Sequence, residues 1–502
     1  MAVLPKILGL EEIGGRDPFL GSLLGYLASL QREIYLVGGY LRDFFLGDIP
    51  QDIDFITSEG PENLALEVSS YFGGKSFVLY EEEKTYRVVV DGGDRKRTLD
   101  FAPIKGLSVE DDLSQRDFTI NAMAVDVERI VAEKNLRLPR DIIDKHYGWR
   151  DLYRGILREC HRHSFLMDPV RLVRALRFRH VLGMEYEERT LNHLKKYAPL
   201  ITKVSGERIA VELMETLLYP NTSKVISELE STGLLPYLFP DLTGTVGLEQ
   251  NAYHHLDVWS HTLLTMEELD RLLSGPETVY PEHASKIKGH MKEVLQDLKP
   301  RSSFLRLAAL YHDAGKASTF SRDESGYIHF YYHHKYSEDA MAGLADRLGF
   351  SRKAGDYLVR TVGKHMDIGF AVSDQVSSRG LRKLVNRLGD ELVDIVLLST
   401  ADRYATRGPL TSREGLQRYV DFCRRLLDES DREKEVPPLI GGRDLIEEVG
   451  LRQGPGIGRI LEEVRIAQLE GAVDSRAEAL ELARNLVVTS RDGRRNDAEY
   501  GP

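Results

Sequence analysis

Between residues 33 and 126 the apolar residues come in short β-branched runs: YLV at 35–37, DIDFIT at 52–57, SFVLY at 76–80, YRVVV at 86–90 and TLDFA at 98–102. Runs of this length, bounded by polar and turn residues, predict the strands of a small sheet with short helices between them. The first run ends at Gly38-Gly39, and the LRDFFLG that follows reads as a short helix closed by Gly47. In DIDFIT, two-residue alternation puts Asp52 and Asp54 on one face and Ile53 and Phe55 on the other. From about residue 147 the pattern turns helical. DPVRLVRALRFRHVLG offers Asp168 as N-cap, Pro169 at the first helical position and Gly183 as a stop, and GERIAVELMETLLY and SKVISELESTG follow with helical spacing. The turn cluster FPDLTGTVG closes that region near residue 247, and EVPPLIGG reads as a linker to a last helical module. The fold class expected is α+β multidomain, divided as 1–146, 147–247, 248–430, 431–490 and a polar, disordered tail at 491–502.

Composition narrows the class. No apolar run approaches the roughly 20 residues of a membrane span, so no membrane partner is expected and the expected location is cytoplasmic. Cys160 and Cys423 lie far apart with no CxxC spacing, which excludes a disulfide framework and a zinc ribbon and predicts reduced thiols. A formal charge of −12 argues against indiscriminate binding of polyanions. Yet between Lys145 and His180 nine Lys/Arg face three Asp/Glu, a local surplus in an acidic chain. Ten of the fifteen histidines fall between residues 250 and 425, so a second chemistry is expected there.

Two carboxylates on one strand face can hold a pair of hard divalent cations, and Asp100, on a neighbouring strand, is the candidate third. The Gly38-Gly39 turn lets backbone approach a triphosphate, and Arg42, one helical turn on, can pair with its oxygens. A lone Gly-Gly is usually only a turn, and a lone DxD is often a solvated strand end. Together at this spacing they describe a nucleotide site with a metal.

The stretch YLVGGYLRDFFLGDIPQDIDF resembles the LVGGxxRDxLLGxxxxDxD signature of the class II tRNA nucleotidyltransferase and bacterial poly(A) polymerase family. EDDLSQRDFTINAMAVD, at 110–126, is similar to its second motif, DPVRLVRALRF to its nucleotide-selecting helix, and SGERIAVELMETLL and STGLLPYLFPDL to later segments. The resemblance implies a polymerase-β-like head (1–146) with Mg²⁺, a helical nucleotide-selecting neck (147–247), and transfer of nucleotides from CTP and/or ATP to the 3′ end of tRNA or another RNA. It implies Asp52 and Asp54 as metal ligands, Gly39 and Arg42 as triphosphate contacts, Arg116 as a further phosphate contact, and Asp117 and Asn121 near the ribose. On the neck helix Arg171, Arg174 and Arg177 recur every three residues behind Asp168, an edge that alone would read as a solvated, salt-bridged face. In the family, the positions matched by Asp168 and Arg171 imitate a template base. The motif here reads MDPVR, with Met167 where the family usually has Glu. Only fifteen residues separate Asp100 from Arg116, where A-adding members carry a flexible loop, so the reading leans toward C addition, with CCA and A addition open. Poly(A) polymerase is the nearest alternative.

VWSHTLL, LAALYHDAGK, FYYHHKYS, VGKHMD and STADRYA follow one another between residues 258 and 405. Each sits in an apolar helical stretch, where a metal would offset the burial of His and Asp. The set resembles the HD-domain metal phosphohydrolases, which implies His261, His312, Asp313 and Asp402 as ligands, with His333 and His365 as the extra histidines of two-metal forms. His334 is an alternative to His333. The resemblance makes 248–430 an HD domain with a divalent transition metal or Mg²⁺, acting on a 2′,3′-cyclic phosphate or a phosphomonoester. An HD phosphohydrolase as the main activity is a further alternative.

Overall fold

The structure, a computed structural model, describes residues 7–93, 95–133, 136–372 and 376–496. The chain is a mixed α+β protein with its sheet near the N-terminus. It divides into two compact units, Met1–Thr216 with Glu228–Leu238, and Leu217–Ser227 with Phe239–Pro502. The expected head and most of the expected neck fall in the first, and the histidine-rich and C-terminal regions fall in the second.

In the first unit six strands form one mixed sheet: β1 (Ile34–Val37), β2 (Asp52–Thr57), β3 (Lys75–Tyr80), β4 (Thr85–Asp91), β5 (Lys96–Pro103) and β6 (Ala124–Asp126). Their order is β3-β4-β5-β2-β1-β6, antiparallel except where β2 runs parallel to β5. Alternation works as expected along β2: Ile53 and Phe55 are buried, Phe55 stacks on Phe101 of β5 at 5.3 Å, and Asp52 and Asp54 take the opposite face. Helix α1 (Gly39–Leu46) follows β1 and stops at Gly47, whose φ of +104° suits a residue without Cβ. The connection after β5 folds into α2 (Val109–Ser114), capped by Ser108 and anchored by buried Val109 and Leu113.

Helix α3 (Arg171–Val181) ends before Gly183, which has positive φ as a stop requires. At its start Asp168 makes the bond expected of a cap, its Oδ1 accepting the Val170 N–H at 3.4 Å, although regular helix begins only at Arg171. Asp168 precedes a proline, which disfavours helical backbone, and it sits extended at φ −147°, closing the short turn Ser164–Met167. The chain then passes through a tight turn, with the Arg171 N–H donating to the Asp168 carbonyl at 3.2 Å, before α-helical bonding begins from Val170. Helix α4 (Gly206–Thr216) packs on α3.

The second unit is helical. Helix α5 (Val258–Ser274) packs on α6 (Arg301–Tyr311) and on the later helix Leu392–Ala405. Helices α7 (His333–Arg347) and α8 (Arg352–Gly363) pack on each other, and α8 also packs on α6. The short α9 (Asp367–Ala371) precedes α10 (Leu392–Ala405). At the C-terminal end Leu445, Ile460, Val464, Ala479 and Ala483 form a small core of their own. There the Gly441 N–H donates to the Asp444 carboxylate at 2.6 Å, which caps the short helix Gly442–Glu447. The tail was expected to start at residue 491, but the last helix runs to Asn496; residues 497–502 lie outside the described residues. Cys160 and Cys423 are both free. Among the described residues no helix is long and apolar enough to cross a membrane.

Candidate active sites

Parallel pairing of β2 with β5 sets Asp54 directly beside Asp100, and Asp52 shares their face one pleat away. Burial pushes the Asp54 carboxyl up to about 6, with Asp100 and Asp52 adding to the rise and Arg116 opposing it. A half-buried carboxylate crowded by two others is a donor set that fits a divalent cation. Both oxygens of Asp100 accept from Arg87 on β4, at 2.8 and 2.7 Å. Arg87 was absent from the expected residues, and it competes for the same lone pairs that a metal would use.

Gly38 has φ +76°, and a Cβ there would lie 3.0 Å from Arg116 Nη1 and 3.1 Å from Asp54 Oδ2. The turn therefore brings backbone, a phosphate-type guanidinium and a metal-type carboxylate within contact of one point. Arg116 is aimed by Asp112, which accepts from its Nε and Nη2 at 3.1 Å each.

The remaining expected residues form a chain of hydrogen bonds. Arg42, buried against the ring of Phe178, donates to Asp43 at 2.7 and 2.8 Å and to Asn121 Oδ1 at 2.6 Å. Asn121 Nδ2 donates to Asp117 Oδ1 at 3.0 Å, and Asp117 Oδ2 accepts from Arg174 Nε at 2.9 Å. Burial alone would raise the Asp117 carboxyl, but Arg174 and the hydrogen bonds from Asn121 and the Phe118 amide hold it below the usual range. Arg174 Nη1 and Arg177 Nε then share one carboxylate, Glu212 of α4, at 2.8 and 2.9 Å. The arginine edge is thus tied down and not simply solvated. The Arg171 side chain donates to the Gln115 carbonyl at 2.8 Å and Ser164 Oγ at 2.9 Å, whereas the Asp168 carboxylate accepts from Arg208 at 2.8 Å, so these two side chains take different partners. Met167 is 55% exposed beside them. Glu212 was missed by sequence reasoning, although a Glu at a core-facing position of GERIAVELMETLL is itself a signal that a cation must meet it.

In the second unit the expected histidines and aspartates converge as two triads, His261/His312/Asp402 and Asp313/His333/His365, whose ligand atoms lie within 4.8 Å of one another in each. Asp313 links them: Oδ2 is 3.2 Å from His312 Nε2, and Oδ1 is 3.2 Å from His333 Nε2. Nδ1 of His312, His333 and His365 lies 2.8, 3.0 and 2.7 Å from the carbonyls of Ala309, Phe330 and Val362. Only a protonated Nδ1 can donate to a carbonyl, so Nε2 is the inward-facing nitrogen of each ring, and in the neutral form it carries the lone pair. Those three Nε2 atoms are buried and without a hydrogen-bond partner among the described residues, a state that a cation would relieve. Burial, with His312 and His333 nearby, pushes His365 down to about 3, which keeps it neutral as a ligand must be. Burial would raise the Asp313 carboxyl, but His312 and Lys316 outweigh it and keep it ionised. His334 is not in either triad; its ring packs 6.2 Å from Phe370.

Comparison with known proteins follows this geometry. Residues 34–158 match the model of the poly A polymerase head domain, and residues 183–244 match that of the probable RNA and SrmB-binding site of polymerase A. The CC-adding tRNA nucleotidyltransferase of Thermus thermophilus is 30% identical over 94% of this chain and 96% of its own, and the A-adding enzyme of Deinococcus radiodurans is 31% identical over 88% and 93%. Among solved structures, the CCA-adding enzyme of Thermotoga maritima complexed with tRNA covers 96% of this chain and 100% of its own, with a TM-score of 0.57 at 21% identity. A CCA-adding enzyme complexed with ATP gives a TM-score of 0.60 at 22% identity over 95% of this chain and 96% of that one. With identity of that order along nearly the whole length of both chains, and the signature residues assembled around one sheet face, this chain belongs to the class II tRNA nucleotidyltransferase and poly(A) polymerase family.

Proposed function

We propose that the protein adds nucleotides to the 3′ end of tRNA from CTP and/or ATP, releasing pyrophosphate. The observation that carries this is the junction of two half-sites in one unit: the Asp52/Asp54/Asp100 face for metals, and the Arg42–Asn121–Asp117–Arg174–Glu212 chain beside it. Similarity to both CC-adding and A-adding relatives fits tRNA as the substrate. In the reaction the RNA 3′ oxygen bonds to the α-phosphorus as the bond to pyrophosphate breaks. Mg²⁺ held by Asp52 and Asp54 would lower the pKa of the attacking hydroxyl and neutralise the leaving group. Arg116 and the backbone after Gly38 face the triphosphate, Asn121 and Asp117 offer donor and acceptor to the ribose, and Asp168 with Arg171 to Arg177 face the base. The short, packed connection through α2 leaves no long loop between Asp100 and Arg116, and this favours C addition.

The test offers tRNA lacking CCA, CA or A to the protein, with CTP and ATP supplied separately. Addition of C to the first two is expected, and Asp52→Ala with Asp54→Ala abolishes it. Extended A tracts on unrelated RNA would sink the tRNA reading in favour of poly(A) polymerase.

A second reading rests on the two triads. We infer that residues 248–430 form an HD domain holding a divalent transition metal or Mg²⁺ at His261, His312, Asp313, Asp402, His333 and His365, and that it hydrolyses phosphate esters. The orphaned Nε2 atoms support it.

A further inference from the structure

The sheet positions in register with Asp54 form a row. Asp54 on β2 pairs with Asp100 on β5, Asp100 with Arg87 on β4, and Arg87 with Phe77 on the edge strand β3, so an aromatic ring, a guanidinium and two carboxylates stand side by side on one face. The opposite face is the core: Val88, Leu99 and Phe101, which alternate with these residues, are buried. The outer end of the row is open. Phe77 is 47% exposed, exposed Lys75 shares its face two residues away, and the Arg87 side chain is 31% exposed. Asp100 takes Nε and Nη2 of Arg87, and a guanidinium has five N–H donors, so Nη1 is left to offer.

In-line displacement dictates what that end faces. The triphosphate side of Asp54 is the β1 side, because Gly38 follows β1 and a Cβ there would touch both Asp54 and Arg116. An attacking oxygen lies opposite the leaving pyrophosphate, so the RNA end comes from the other side of Asp54, across β5, β4 and β3. Neighbouring strands are about 4.8 Å apart, which puts Arg87 about 10 Å and Phe77 about 14 Å from Asp54, a span of about two nucleotides.

We propose that this row is the track of the RNA 3′ strand, with the phosphate behind the terminal nucleoside on Arg87 and the base behind that phosphate stacked on Phe77. The inference rests on the nucleotide-addition reading above and names the surface that delivers its acceptor. An aromatic ring among cations binds a single strand of any sequence, since every base has a π face and every link a phosphate. An open apolar side chain on an edge strand is otherwise a liability for pairing with other chains, and the track gives Phe77 a use that sheet packing does not.

The experiment titrates the full chain with two fluorescent RNAs, a tRNA ending in its first terminal C and the same tRNA trimmed to the blunt end of its acceptor stem, over a series of salt concentrations. Phe77→Ala is expected to weaken binding of the first about tenfold, about 1.4 kcal/mol, and of the second less than twofold. Phe77→Trp restores the affinity and Phe77→Leu does not. Arg87→Ala flattens the slope of log affinity against log salt by about 0.7 for the first RNA only, whereas Phe77→Ala leaves the slope unchanged. In steady-state incorporation of CTP, Phe77→Ala raises KM for the tRNA about tenfold and keeps KM for CTP within twofold. Equal weakening of both RNAs, no weakening of either, or recovery by Phe77→Leu overturns the stacking site, and an unchanged salt slope for Arg87→Ala overturns the phosphate contact. If the wild type adds no nucleotide to any tRNA, the nucleotide-addition reading fails separately, and the binding comparison still decides the track.

Discussion

Glu212→Gln tests whether the arginine edge of α3 reads a nucleotide or merely holds the neck together. Each Glu212 oxygen accepts one guanidinium bond, from Arg174 at 2.8 Å and Arg177 at 2.9 Å. The amide keeps the shape but retains one acceptor and turns a donor toward the other arginine. A charge-assisted bond contributes about 1.5–3 kcal/mol. The Arg174 side chain is 32% exposed and that of Arg177 17%, so water replaces part of the loss at the first. We expect a folding cost of about 2 kcal/mol, read as a lower urea midpoint at constant slope. Arg174 keeps its bond to Asp117, so the helix should stay in place while the aim of both guanidinium groups loosens. If those groups face the base, kcat/KM for CTP should fall about tenfold, equivalent to 1.4 kcal/mol, and discrimination between CTP and ATP should narrow. Steady-state incorporation on tRNA lacking CCA, with each nucleotide alone, measures both. A lowered midpoint with unchanged kcat/KM and discrimination would assign the arginines to structure alone and refute the argument.

Gly38→Ala places a Cβ at a positive φ, 3.0 Å from Arg116 Nη1, so we expect about 1–3 kcal/mol of strain and near-complete loss of incorporation, measured by urea unfolding and by labelled CTP. His312→Ala with Asp313→Ala should abolish metal-dependent phosphate-ester hydrolysis and leave CTP incorporation intact; unchanged hydrolysis would remove the HD assignment. Asp394 is fully buried and accepts from His290, Arg301 and Tyr357 at 2.8, 2.8 and 2.7 Å, so Asp394→Ala should cost about 3 kcal/mol by leaving buried Arg301 with only the exposed Glu293, 3.5 Å away. Burial would raise the Asp394 carboxyl, but the His290 bond and Arg301 hold it below the ordinary 3.8. Its contribution is therefore complete above that value and is lost as pH falls through the lower folded-state pKa. The acid side of the stability profile of Asp394→Asn should be flatter than that of the wild type.

What was legible in the sequence is what short-range geometry fixes. Two-residue alternation put Asp52 and Asp54 on one face because Ile53 and Phe55 must be buried, and Gly38 and Gly47 marked turns that need positive φ. Partners set by register or by helix packing were harder to see. Arg87 meets Asp100 only because β4 pairs with β5 in that register, and its trace in the sequence was a lone charge inside YRVVV. Glu212 was visible in the same way, one acid on the inward stripe with Ile209, Leu213 and Thr216. Asp168 was legible as the cap because Pro169 holds its backbone extended while its Oδ1 accepts the Val170 N–H, ahead of the α-helical bonding that starts at Val170. His333 and His334 were indistinguishable by spacing. The carbonyl of Phe330, which fixes the His333 tautomer, separates them only in three dimensions.

The two sites share one structural device, a carboxylate whose two oxygens serve different groups. Glu212 divides Arg174 from Arg177, Asp117 divides Asn121 from Arg174, and Asp313 divides His312 from His333. Such a group fixes a distance between two elements as well as supplying charge, and alanine removes both properties together. The isosteric amide separates them, since it keeps volume and one acceptor while reversing the other bond. For Asp117→Asn the reversed bond falls on either Asn121 or Arg174, and rotation of the amide can choose the cheaper one, so its effect should be smaller than that of Asp117→Ala. At Asp313 the amide is neutral in either orientation and turns its NH₂ toward His312 or His333, so Asp313→Asn and Asp313→Ala should be nearly equal. The contrast between the two amide-to-alanine ratios tells a positioning carboxylate from a ligating one without any structure of the variants.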